Sequence, residues 1–321
     1  MAKYTLMTYN IQHMNRLFAN AAVKPGEAKR AEGIAKVIQK VNPHLLGICE
    51  AANDPQEHRN FIENYLPEMG FQLAQGVSRG AQNLVFYYRQ PFSVLSLDEN
   101  HSYYDPWHSD TDDDGLEENY HWERRPLEAT FEITPGGPKL DVLLVHTKSK
   151  GIFTVVDFQN FQKIALANRK RLVAQAIKLR SRLNELLTDA NPRPIVVMGD
   201  LNDGPGLDAF ESMLGKSFVE TVMGSVFEPD LIFHNVLWWM SKERGLMKDL
   251  WTADFPDPIV NHPLGYRHQV WVDHILVSPD MVWGASQVRY VDESGRVGPG
   301  DRAARTASDH RAVHCQIEVV E

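Results

Sequence analysis

Cysteine is nearly missing from this chain, with only Cys49 and Cys315 among 321 residues. Two are too few for a disulfide framework and show no zinc-ligand spacing, so both read as reduced core residues in strand-like runs. Apolar runs approaching the ~20 residues that a membrane-spanning helix needs are also lacking. No charged and apolar leader precedes the first strand-like segment, so the expected compartment is the cytoplasm, or the exterior if a leader has been removed. Positive charge is in deficit as well: 33 Lys and Arg stand against 42 Asp and Glu, a formal net charge of −9. Nonspecific nucleic-acid binding is driven by phosphate neutralisation, so a nuclease built on this chain would need a local basic path. No tandem repeat is evident, and 43% apolar residues can build one large core.

What is present is a set of short polar motifs at the ends of apolar runs. Pro194-Ile-Val-Val-Met198 reads as a buried strand that breaks at Gly199 into Asp200-Leu-Asn-Asp203. Asp200 and Asn202 stand two apart, a spacing that points both side chains the same way if the backbone stays extended. A carboxylate there can orient or deprotonate water, and an amide can donate to an anionic oxygen; the same residue types also favour plain turns. Ser308-Asp309-His310 precedes the alternating run 311–319, which suits a half-buried terminal strand. Val270–Ser278 places Asp273-His274 inside an apolar strand, where a carboxylate needs a partner; His310 is the candidate, while His274 reads as a core imidazole.

Near the N terminus, Tyr4–Ile11 is a strand candidate carrying Asn10 near its end, and His44–Glu50 repeats the pattern with a carboxylate. Between them Ala31, Ile34, Ala35 and Ile38 fall at helical spacing, closed by Asn42-Pro43. Strand, helix, strand predicts a crossover that brings Asn10 and Glu50 out together at carboxyl ends, where open α/β sheets place their sites. Oxygen ligands of this kind suit magnesium or manganese. A further strand, Leu140–His146, ends on His146 with Lys148 and Lys150 beyond it, cations that fit an anionic substrate.

In this order, Asn10, Glu50, His146, Asp200 with Asn202, Asp273, and Asp309 with His310 resemble the signature of the endonuclease/exonuclease/phosphatase superfamily, over nearly the whole chain. The resemblance implies a four-layer α/β sandwich, two central mixed β-sheets flanked by helices, and metal-dependent hydrolysis of a P–O bond by water. It implies Glu50, Asn10 and Asp309 as metal ligands for Mg2+ or Mn2+. It makes Asp200 the residue that orients or deprotonates water, with Asn202 on the phosphate. His310, fixed by Asp273, would contact the phosphoryl oxygen or assist the water, and His146 would protonate the leaving oxygen or stabilise its charge. Leu144 stands where many members carry an Asn, and His146-Thr-Lys-Ser-Lys-Gly151 is similar instead to bacterial nuclease-like members with a preceding Arg-Pro segment. That places Arg124 or Arg125 near the phosphate, with Lys148 close by as a further substrate contact, although an ion pair with Glu123 is the competing reading of the arginines.

Three regions are less directed. The basic residues Lys163 to Arg182 read as the solvated face of a long helix over about 157–188. The acidic stretch 105–118 lacks the closing Glu of an EF-hand and reads as a solvent loop. The aromatic segment 227–267 is expected to be an insertion within a single 1–321 domain, either walling the substrate or forming its own small core. The leading expectation is a phosphodiesterase, nuclease-like or acting on a small phosphodiester. A phosphomonoesterase on a polyol or lipid headgroup, and a non-catalytic binding protein, remain the alternatives; oligomeric state is open.

Overall fold

A computed structural model describes residues 1–78, 80–99, 102–152, 157–256 and 267–320. Its architecture is two mixed sheets packed face to face with helices outside each, the sandwich expected from the resemblance. The first sheet runs Val288–Tyr290, Val313–Val319, Ala2–Asn10, Leu45–Ala51, Asn83–Tyr88, Gln72–Gln75, with Arg296–Val297 also on Val313–Val319. The second runs His234–Asn235, Asp273–Val277, Ile195–Asp200, Lys139–His146, Leu127–Ile133, Phe92–Asp98. Each sheet has one parallel pair among its described strands, Ala2–Asn10 beside Leu45–Ala51 and Lys139–His146 beside Ile195–Asp200, flanked by antiparallel neighbours. Parallel strands end at the same edge, so these two pairs deliver Asn10, Glu50, His146 and Asp200 to one end of the sandwich.

Three apolar layers hold this arrangement. Leu6, Phe86, Phe131, Leu144, Met198 and Ile317 fill the space between the sheets. That space is tight: a Cβ on Gly47 would lie 2.8 Å from Leu144 Cδ1. Outside the first sheet, helix Ala28–Val41 buries the periodic Ala31, Ile34, Ala35 and Ile38 against Met7 and Leu46, and ends with Asn42 at φ 54°. A left-handed Asn is a common helix stop. Outside the second, the 30-residue helix Phe158–Leu187 lays Leu172, Ala176 and Leu179 on Leu143, Val145 and Val197. Its basic face is not simply solvated. Arg169 pairs with Asp208 at 2.8 Å, Lys170 with Asp112 at 2.7 Å and Glu118 at 2.6 Å, and Arg182 with Glu128 at 2.9 Å. Arg180 donates to the carbonyls of Val222, Met223 and Leu231. The face holds neighbouring loops in place, and these four cations do not form a free path for a polyanion.

The acidic stretch forms a short hairpin, Trp107–Ser109 with Glu118–Tyr120. Asp110, Asp112 and Asp114 gather at its tip, but Gly115 N–H donates to Asp110 and Lys170 neutralises Asp112. In the aromatic segment, Trp239 donates to Gly295 O at 2.9 Å and Arg311 covers Trp251 at 4.4 Å, so both pack onto the body of the protein. Residues 257–266 of that segment lie outside the described residues.

One buried histidine makes the fold sensitive to acid. His58 is fully buried, its Nε2–H donating to Ala52 O at 3.0 Å and its Nδ1 accepting from the Tyr87 hydroxyl at 2.7 Å in the one tautomer that satisfies both. Burial lowers its pKa from 6.5 to about 4. The unfolded chain therefore takes up a proton that the folded chain refuses, and stability falls as pH drops from 6.5 toward 4. The expected loss between pH 7 and pH 5 is about 2 kcal/mol from this group. Urea denaturation of the wild type and His58→Gln at both pH values measures it; equal pH slopes would rule the linkage out.

Candidate active site

The four strand ends converge with the two later motifs. Asn10 Nδ2 donates to Asp200 Oδ2 at 2.8 Å and lies 3.5 Å from Glu50 Oε1, so the two sheets meet through this amide. Strand pairing sets His146 opposite Asp200 on one side and Asp273 opposite it on the other. His310 Nδ1 donates to Asp273 Oδ2 at 2.8 Å, while its Nε2 stands 3.9 Å from Asp200 Oδ2. His146 Nε2 is 3.5 Å from the same oxygen. Ser308 Oγ donates to Asn10 O at 2.8 Å and accepts from Gln12 N at 3.1 Å, which fastens the Asp309-His310 segment to the end of the first strand.

The local backbone is shaped for these placements. Glu50 has φ 57° at a register break between Ile48 and Ala51, and the irregularity turns its carboxylate toward Asn10 and away from the strand's ordinary alternation. Gly199 has φ 142°, and a Cβ there would lie 1.9 Å from Val145 O. Only glycine lets Asp200 stand this close to the His146 strand. The extended Asp200–Asn202 geometry expected from spacing is corrected by the structure: Asn202 has φ 49°. Its N–H donates to Asp200 Oδ1 at 2.9 Å and its Nδ2 faces Thr147 O at 3.3 Å, so it turns the loop and braces the carboxylate.

Electrostatics divide the roles. Burial, and then the Asp273 charge, push the Asp200 carboxyl up to about 7, against the opposing pull of His310, the Asn202 N–H and the Asn10 amide. Burial alone would neutralise His310, but Asp273, Asp200 and Asp309 outweigh it and raise the ring to about 10. His146 moves the other way: burial, then Arg124 and His310, hold it well below the usual histidine range, a neutral ring.

The remaining expected residues separate. Arg124 joins the site, with Nη2 donating to His146 Nε2 at 3.3 Å. Arg125 instead pairs with Asp105, and Lys148 lies 3.5 Å from Glu123, both bordering the site. Lys150 is drawn away into a buried cluster with Asp203 and Glu211 that anchors the loop after Asp200. His274 is a core residue, 2.8 Å from both Asn235 Nδ2 and Asp203 O. Two residues escaped sequence reasoning. Gln82 Oε1 accepts from Arg124 Nη1 at 3.0 Å while its Nε2 donates to Glu50 Oε2, and the His13 N–H donates to that same Glu50 oxygen at 2.8 Å. Neither sits in a recognisable motif; only their tertiary neighbours mark them.

Two groups of donors invite a cation. Asp200, Asp273 and His310 present ligand atoms within 4.8 Å of one another, but the His310 ring is protonated and bonded to Asp273, a cation already in place beside the two carboxyls. Asn10 Oδ1 is buried without a protein partner among the described residues, on the amide whose Nδ2 lies 3.5 Å from Glu50 Oε1. Asp309 is raised by burial and, among its neighbours, by the Glu50 charge, a repulsion that a cation would relieve. An amide oxygen and two carboxylates of this kind fit a hard divalent ion.

Comparison with known proteins agrees with this fold. No curated protein matches the sequence. Among similar solved structures, truncated TDP2 of Caenorhabditis elegans superposes with a TM-score of 0.55 at 14% identity, covering 98% of this chain and 97% of that one. TDP2 of D. rerio, complexed with single strand DNA product, gives 0.57 at 14%, covering 99% and 100%. ANGEL2, a 2',3'-cyclic phosphatase in complex with adenosine-2',3'-vanadate, gives 0.54 at 15%, covering 99% and 96%. At such identities the likeness shows the fold. The model of the Endonuclease/Exonuclease/phosphatase family matches residues 7–310, a span that holds every one of the converging side chains. The chain therefore belongs to the Endonuclease/Exonuclease/phosphatase family and is an enzyme of the divalent-metal-dependent phosphoesterase class.

Proposed function

We propose that this chain is a phosphodiesterase that uses magnesium or manganese to cleave a P–O ester by attack of water, nuclease-like or on a small phosphodiester. The observation that supports this reading is the facing of Asp200 and His310 across 3.9 Å, with Asp273 behind the ring. That separation is too long for a direct hydrogen bond and admits an oxygen between them. A carboxyl raised to about 7 is basic enough to take a proton from water near neutrality, which makes Asp200 the general base. The His310 cation, oriented by Asp273, then holds a phosphoryl oxygen. His146 is neutral, so it supports the leaving oxygen through its ring dipole and through the Arg124 guanidinium instead of releasing an imidazolium proton. Asn202 braces the base, and Arg125 and Lys148 border the substrate. A divalent ion held by Asn10, Glu50 and Asp309 would draw charge from the phosphate.

Release of product from bis(p-nitrophenyl) phosphate, p-nitrophenyl phosphate and plasmid DNA, with magnesium or manganese, tests the reading. Diester turnover that vanishes in EDTA and in Glu50→Ala is the expected result, with plasmid nicking marking the nuclease form. Turnover that survives either control would refute it.

A further inference from the structure

We infer that the centre takes a phosphodiester with a sizeable group on each side of the phosphate; this rests on the phosphodiesterase reading and names its substrate class. Two clefts meet at the site. The first, about 730 Å³, reaches Gln82 and Arg124 and runs along Ala81, Asn119 and His121. The second, about 570 Å³, reaches Gln12 and Asp309 and runs toward Thr306 and Arg267. His13 and Arg16 line both, so the clefts share a wall. Behind that wall is Glu50, whose Oε2 accepts the His13 N–H at 2.8 Å.

A phosphate on His310, facing the ion that Asn10, Glu50 and Asp309 would hold, therefore has open space on its Arg124 side and again on its Asp309 side. A phosphomonoester would fill one cleft and leave the other empty. Each volume falls within the roughly 300–1,000 Å³ of small-molecule sites, enough for a nucleoside or polyol. The two differ in chemistry. Amide and imidazole edges from Asn119 and His121 give the first cleft a match to hydroxyls or a base edge. In formal charge they are alike: Arg16, Arg124 and Arg125 stand with Asp105 and Glu123 in the first, and Arg16, Arg30 and Arg267 with Glu27 and Asp309 in the second. A short nucleotide ester fits both, its nucleoside on the first side and its other substituent on the second.

Three esters that release p-nitrophenol test this with magnesium or manganese: p-nitrophenyl phosphate, methyl p-nitrophenyl phosphate, and the p-nitrophenyl ester of thymidine monophosphate. They are compared in the wild type, Ala81→Trp and Thr306→Trp, each variant filling one cleft from an exposed position. On the thymidine diester, both variants are expected to lower kcat/KM about tenfold or more. On the methyl diester, whose single large group needs one cleft, only one variant should do so. Thermal melts confirm folding, and Ala81→Leu and Thr306→Leu replace any variant that melts early. Diester turnover untouched by either filling, or a monoester preferred over both diesters, overturns the inference. Silence on all three esters overturns the phosphodiesterase reading with it.

Discussion

Asp200→Asn lowers turnover by a factor on the order of 10² to 10⁴ while the melting temperature stays close to that of the wild type. The substitution keeps the shape of the side chain and removes the basic oxygen that faces His310 across 3.9 Å. An amide cannot accept from both the Asn202 N–H and the Asn10 amide as the carboxylate does, at 2.9 and 2.8 Å, so one hydrogen bond is lost, worth about 1 kcal/mol. Against that loss, the repulsion between two buried carboxyls, Asp200 and Asp273, disappears. The two effects oppose each other in stability and leave catalysis as the quantity that changes. Steady-state kinetics on a diester, paired with a thermal melt, reads both. Full activity in Asp200→Asn would remove this residue from the role of base, and a collapse of the melting temperature would make it a structural residue.

Gly199→Ala is expected to be among the most damaging single changes in the protein. The φ of 142° is barred to an L side chain, and the added Cβ would stand 1.9 Å from Val145 O, an atom of the adjacent strand. Relief requires separating the two strands that carry His146 and Asp200. A loss above ~4 kcal/mol, or failure to fold, follows from that clash. Gly136→Ala is the control, because Gly136 also has positive φ, 73°, yet nothing lies within 4 Å of its missing Cβ. It should cost only about 1–2 kcal/mol, the backbone penalty alone. Urea denaturation of the two variants separates packing from conformation; equal losses would show that the Val145 approach does not matter.

Legibility differed from one part of the site to another. Asn10, Glu50, His146, Asp200, Asp309 and His310 were readable because each stands at a break in an apolar run, and Asp273 because a carboxylate inside such a run is conspicuous. The pairing of Asp273 with His310 followed from the cost of burying a carboxylate without a partner, and the 2.8 Å contact is in place. The conformation of Asn202 was not readable, since Asp-Leu-Asn suits extended chain and turn alike and the carbonyl of Thr147 decides between them. Lys150 illustrates the same limit: next to a histidine it looked like a substrate cation, but two carboxylates over fifty residues away claim it. Gln82 and His13 carried no signal at all.

By itself the sequence determined the alternation of strand and helix, the presence of a large core, the family, and the polar residues in and beside the strand-like runs, because hydrophobic period and motif order are local properties of the chain. Only the tertiary structure decided that Gln82 links Glu50 to Arg124, that His146 is neutral while His310 is charged, that four cations of the basic helix are taken up by neighbouring loops and strands, and that two clefts flank the centre. Those features depend on burial and on distances between segments far apart in the chain. Solvation and Coulomb energy are set by such distances, and no local pattern encodes them.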